Sequence, residues 1–258
     1  MQKKTSRLQS WFGVQDMTVG RPMDSLVRFS IPLLVGNLAQ QLYNTVDSIV
    51  VGQYIGDTAL AAVGTAGPIL NLLLVLFMGI ATGASILSAQ YFGAHDRQHL
   101  SRVVGASILL TVSSSILMGF VGFFSSPWLM SLVNPPADVL DGAVIYLQII
   151  FIGILGTATY NILAGVLRGL GDSLMPLVSL LVASLLNIVL DIVFVRDLRM
   201  GVAGVAWATI IAQAISGTMC LVRLCRMQQV VDVNKETLRP DWPIIGRLCK
   251  LGVPAGIT

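Results

Sequence analysis

The sequence predicts an all-α integral membrane protein, a six-helix lobe that is the first of two parallel, pseudo-symmetric repeats, and three observations carry that reading. Hydrophobic residues make up 55% of the chain, whereas Asp, Glu, Lys and Arg together make up 11%, against about a quarter charged in soluble domains. Mean hydropathy is +0.80, and a water-facing surface cannot be built from such a composition. The apolar residues are gathered into blocks long enough for the roughly 20 residues that cross a bilayer core. The opening pattern of the first block also returns near residue 254.

Residues 1–25 form a polar segment with Lys3, Lys4, Arg7, Asp16, Arg21 and Asp24. It lacks the apolar core and cleavage site of a signal peptide, so targeting falls to the first span. The lobe itself is expected over 26–223, with spans at about 28–53, 60–89, 103–125, 139–167, 174–195 and 202–223. Turn formers divide them: Gly56-Asp57, Gly93-Ala94-His95-Asp96, Asn134-Pro135-Pro136, Gly169-Leu170-Gly171-Asp172 and Arg196-Asp197. A polar linker is expected over 224–250.

A seventh apolar segment is expected to start at 251 and run to 258. Its approach, Leu248-Cys249-Lys250-Leu251-Gly252-Val253-Pro254, echoes Leu26-Val27-Arg28-Phe29-Ser30-Ile31-Pro32. Six spans return a chain to its starting side, so a second repeat would begin there in the same orientation. The expectation is a truncated chain that lacks its second repeat.

Fourteen of the sixteen basic residues fall on segments that share a side with the N-terminus, leaving Arg196 and Arg199 opposite. The positive-inside rule then puts the N-terminus in the cytoplasm. The net charge of +3 implies no nucleic-acid partner. Cys220, Cys225 and Cys249 build no disulfide framework. His95 and His99 read as solvated loop residues with no acidic partner nearby. No phosphate-binding loop is present.

Two acids lie inside spans, Asp47 in the first and Asp191 in the fifth. A charge there costs roughly 2.5 to 3.5 kcal/mol, so it calls for a functional or pairing reason. Along the first span Asn37, Gln40, Asn44, Asp47 and Ser48 share one face. Ser184, Asn187 and Asp191 do so along the fifth, and Thr209, Gln213, Ser216 and Cys220 along the sixth. Counted from the outer helix ends, Asp47, Asn187, Asp191 and Thr209 could meet at one depth. Their oxygens suit a hard cation, and two close carboxylates suit a proton carrier. Hydrogen bonding that merely holds helices together is the plainer alternative. Pro32 and Pro68 permit kinks. Gly79 and Gly83, like Gly201 and Gly204, let backbones approach.

These residues resemble the multidrug and toxic compound extrusion family from about residue 20 onward. Ser30-Ile31-Pro32 with Leu42-Tyr43-Asn44-Thr45-Val46-Asp47 is similar to its opening helix. Leu167-Arg168-Gly169-Leu170-Gly171-Asp172 is similar to its turn after the fourth helix. Leu186-Asn187-Ile188-Val189-Leu190-Asp191 and Gly201-Val202-Ala203-Gly204-Val205-Ala206-Trp207-Ala208-Thr209 are similar to its fifth and sixth helices. The resemblance implies twelve helices in two lobes, a monomer at full length and no enzymatic activity. It also implies a proton or Na+ site at Asp47, Asn187, Asp191 and Thr209, bending at Pro32, and no other cofactor. Gln40, Tyr43, Asn44 and Asn161 would line a cavity for an amphipathic cationic substrate.

Two rivals remain. A flippase for a lipid-linked sugar shares the architecture but favours a cationic cavity, and no Lys or Arg is expected in mid-membrane. An intramembrane aspartyl protease is suggested by Gly169-Leu170-Gly171-Asp172, though Asp172 before Ser173 and Pro176 reads more simply as a helix start.

Overall fold

The computed structural model describes residues 22–54, 56–228, 230–232, 237 and 240–257, and every regular element among them is helical. The helices are α1 (Pro22–Tyr54), α2 (Asp57–Gly93), α3 (Arg97–Val133), α4 (Ala137–Ile152), α5 (Ile154–Gly169), α6 (Leu174–Asp191), α7 (Val202–Arg226) and α8 (Trp242–Ile257), with a π-helical turn over Ile192–Asp197. The 1–25 segment lies largely outside the described residues.

Local chemistry sets the breaks. Asp96 accepts from the His99 N–H at 3.0 Å and so starts α3. Asn134, at φ 52°, ends α3 in the left-handed conformation that Asn tolerates. Asp172 Oδ1 accepts from the Met175 N–H at 3.1 Å, which satisfies a free donor in the first turn of α6 and makes this residue the helix start that the sequence indicated.

Two spans differ from expectation. The fourth is a broken pair, α4 and α5, bent by 54° at Gly153. A Cβ at Gly153 would overlap Ile210 of α7, so the break lets α7 press against the backbone. The fifth span is α-helical only as far as Asp191 and continues as a π turn, a feature often found at functional sites.

Among the described residues, four helices are long and apolar enough to cross a membrane, and the bent pair makes a fifth span. α1 is also long, at 33 residues, but Asn37, Gln40, Gln41, Asn44 and Asp47 thin its apolar content. Such a helix suits the lining of an interior space. α3 turns Ile116, Leu117, Phe120, Phe124 and Trp128 outward, an apolar face fit for lipid.

Up-and-down connections place the α2–α3 and α5–α6 turns and the end of α7 at one end of the bundle, with Arg97, Arg102, Arg168, Arg223 and Arg226. This is the basic end. The α1–α2, α3–α4 and α6–α7 turns lie at the opposite end. α5 and α7 pack closely, α2 leans on both α5 and α8, and α1 lies chiefly along α6. The α2–α8 crossing is made by Gly83 against the Leu248 backbone and Gly252 against the Gly79 backbone, the close approach that small residues permit. On the other side of α2, Gly165 and Gly169 of α5 sit on the Ala81 and Ser85 carbonyls.

At the basic end, Arg97 reaches Asp232 and the Gln228 carbonyl, each at 2.6 Å, while the Asp232 N–H donates to Ser101 Oγ at 2.9 Å. α8 then begins at Trp242, ahead of the start expected at 251. Cys220, Cys225 and Cys249 are free thiols. His99 departs from expectation, because its ring meets Asp96 at 2.7 Å and stacks on Tyr91.

Candidate functional site

Asn187 and Asp191 stand one turn apart on α6, and both are 0% exposed. With the Asn187 amide turned to meet its neighbours, Nδ2 donates to Asp191 Oδ2 at 3.1 Å and Oδ1 accepts from the Thr209 N–H of α7 at 3.3 Å. Three of the four expected cation-site residues thus form one connected unit. Asp47 belongs to α1, which runs beside α6, but its side chain lies outside the described residues. So do the side chains of Pro32, Tyr43 and Asn44.

Thr209 Oγ1 donates to the Val205 carbonyl at 3.0 Å, which leaves its lone pairs free to face inward. Thr209 lines a cavity of about 490 Å³. Gln40 and Asn161 line it, together with Asn37 of α1 and Gln213 one turn below Thr209. The Gln213 carbonyl oxygen is buried and takes no hydrogen bond among the described residues. Asn161 gives its amide hydrogen to the Thr157 carbonyl at 2.8 Å, so its own carbonyl remains available. α2 supplies an apolar wall through Leu70, Leu74, Phe77 and Met78.

Carboxylate, amide and hydroxyl oxygens are the donor set that a sodium ion takes, and a buried carboxylate can also take up a proton. No cluster of three His, Cys, Asp or Glu side chains able to hold a metal exists among the described residues.

Arg168, in the last turn of α5, also lines this cavity. It sits on the same face of α5 as Thr157 and Asn161, following four- and seven-residue steps. That periodicity was present in the sequence, but its place beside the Gly169 turn made Arg168 look like a loop residue. Asp172 belongs elsewhere, for its Oδ2 accepts from Arg223 Nε at 2.8 Å. It opens α6 at the basic end while Asp191 closes the same helix, about 28 Å along the axis at 1.5 Å per residue. Such a separation excludes a two-aspartate catalytic pair between them.

A family model described as MatE matches residues 32–193. The chain belongs to the MatE family. It is 34% identical to the "Probable multidrug resistance protein YpnP" of Bacillus subtilis over 94% of this chain and 54% of that protein. It is 23% identical to the "Probable multidrug resistance protein NorM" of Thermotoga maritima, covering 90% of this chain and 50% of that one. A structure described as the outward-facing conformation of a multidrug resistance MATE family transporter superposes with a TM-score of 0.85 at 27% identity, over 99% of this chain and 55% of the other. An inward-facing structure gives 0.81 over 90% of this MatE chain and 53% of the other. The chain therefore spans about half the length of the relatives it matches.

Proposed function

We propose that this MatE chain forms the first lobe of a secondary exporter, which couples inward movement of protons or sodium ions to expulsion of small organic molecules. The observation that carries this reading is the Asp191–Asn187–Thr209 relay, because it joins a buried carboxylate to the cavity wall. A proton or sodium ion arriving at Asp191 changes what Oδ2 can accept from Asn187. Asn187 holds the Thr209 backbone through its other end, so ion occupancy alters the wall against which cargo rests. Asp47, on the neighbouring helix, is the natural second carboxylate, and bending of α1 at Pro32 the natural movement.

The protein works without an enzymatic step and without a cofactor beyond the coupling ion. It resides in the bacterial inner membrane with its N-terminus in the cytoplasm, and acts as a monomer at full length. An amphipathic cation is the expected cargo, drawn by the carboxylates and the apolar wall of α2. In inside-out vesicles with imposed proton or sodium gradients, Asp47→Asn and Asp191→Asn should each abolish efflux of a fluorescent cationic dye, and the effective gradient should name the ion. Unimpaired efflux by both variants would make the carboxylates structural.

A second reading, a flippase for a lipid-linked sugar, gains support from Arg168 in the cavity, since arginine pairs well with phosphate. Gradient-driven dye efflux separates the two.

A further inference from the structure

Arg168 is the charged side chain among the described residues that line the cavity; the others are apolar, amide, hydroxyl or phenol groups. Its surroundings set it apart from three other arginines at the basic end. Arg97 is paired with Asp232, Arg102 with Asp241 and Arg223 with Asp172. For Arg168 no carboxylate lies within ion-pair distance among the described residues, and the nearest acid in sequence, Asp172, is already engaged by Arg223.

A lysine or arginine near a helix end ordinarily extends toward the membrane surface, where water pays for its charge. Arg168 instead turns back along α5. Its Nε donates to the Ala164 carbonyl at 3.1 Å, one turn toward the bundle centre, and this leaves the two terminal nitrogens of the guanidinium for the cavity. Thr157 and Asn161 continue the same face of α5, while Thr82 and Ser85 of α2 line the space across from it. Arginine cannot shed its proton, so the charge is permanent. A planar fork of donors at the basic end of a cavity of about 490 Å³ is matched by an oxyanion held through two parallel hydrogen bonds.

We propose that Arg168 forms an anion subsite at the basic end of the cavity, receiving the carboxylate, phosphate or sulfonate group of an amphiphile whose apolar part lies against Leu70, Leu74 and Phe77. With the acidic relay near the opposite end, an amphipathic cation that also carries an oxyanion would be held at both ends. The inference rests on the exporter reading only in naming the ligand as cargo, since an anionic lipid headgroup carries the same chemistry.

The test is binding of dansyl-labelled octanoate and its uncharged methyl ester to the full chain in phosphatidylcholine nanodiscs, with partitioning into empty discs subtracted. The wild type should bind the acid about ten-fold tighter than the ester, as expected for one charge-assisted pair. Arg168→Gln should bring the ratio to about one while leaving ester binding unchanged, and Arg168→Lys should retain part of the preference. A wild type that does not distinguish acid from ester overturns the proposal, as does a preference that survives Arg168→Gln. Should Arg168→Gln fail to insert, an undiminished preference in Arg168→Lys overturns the bidentate assignment equally. Repetition in phosphatidylglycerol nanodiscs separates the sources. An acid preference abolished there assigns the subsite to a lipid headgroup, and one that persists assigns it to a small cargo. Loss of the preference with dye efflux intact removes the subsite alone, whereas an intact preference without gradient-driven efflux removes the exporter reading alone.

Discussion

Arg223 of α7 donates from Nε to Asp172 Oδ2 at 2.8 Å, joining the start of α6 to the end of α7 across 51 residues of sequence. Asp172 is almost fully buried and also caps α6, so it serves two helices at once. Arg223 is more than a third exposed, and solvent discounts the pair accordingly. Asp172→Ala removes the cap and the pair together and should lower stability by about 2 kcal/mol. Asp172→Asn keeps the cap and should cost about half as much. Thermal unfolding in detergent, followed by tryptophan fluorescence, separates the two; equal losses would deny the cap any part.

The relay between Asp191 and Thr209 can be weighed by a double-mutant cycle. Asn187→Leu takes away the donor to Asp191 and the acceptor of the Thr209 N–H, and should destabilise the protein by about 1 to 3 kcal/mol. Asp191→Leu added to it should cost less than the sum of the two single changes, because the carboxylate no longer lacks its amide. Strict additivity would mean that the two side chains do not interact.

Gly64 and Gly83 both lie inside α2, yet they should answer an added methyl group with opposite signs. Nothing lies within 4 Å of a Cβ at Gly64, whereas one at Gly83 would strike the Leu248 backbone. Gly64→Ala should be neutral or stabilising by up to about 1 kcal/mol. Gly83→Ala should destabilise and make residues 227–241 more open to protease. Limited proteolysis of the two variants in nanodiscs reads the contrast directly.

Acid should loosen the start of α3 first. The His99 backbone N–H donates to Asp96 and, helped by the His99 ring, holds its carboxyl below the usual 3.8. A depressed value means that stabilisation is fully present above about 3.8 and is lost as pH falls through the lower value that holds in the fold. Hydrogen exchange of the first-turn amides, corrected for intrinsic rate, should therefore accelerate as pH falls below about 3.8. Asp96→Ala should begin fast and show no further acid step.

The helices were legible because lipid demands long apolar blocks, and the boundaries were less so because α2 and α3 continue past what a bilayer needs. Asn187 and Asp191 stood out as polar residues one turn apart in an aliphatic run, and the structure brings them into contact. The break at Gly153 was hidden, since its cause is the Ile210 side chain of a helix far along the chain. Arg168 was misplaced for a related reason: sequence gives a residue's face and its distance from a turn, but the direction an arginine extends depends on where its partners stand. The Arg223–Asp172 pair had no local signature at all.

The contacts that α2 makes through Gly165, Gly169, Gly83 and Gly252 are contacts of main chain on main chain, without a rotatable bond between them. Side chains yield by changing rotamer, but a carbonyl seated on a Cα has no such compliance. A displacement of α8 is consequently handed to α2, and from α2 to α5, with little taken up on the way. α5, α2 and α8 form a stiff transverse beam through the lobe. α1 meets that beam only lightly, so it is the member that can flex without dragging the rest.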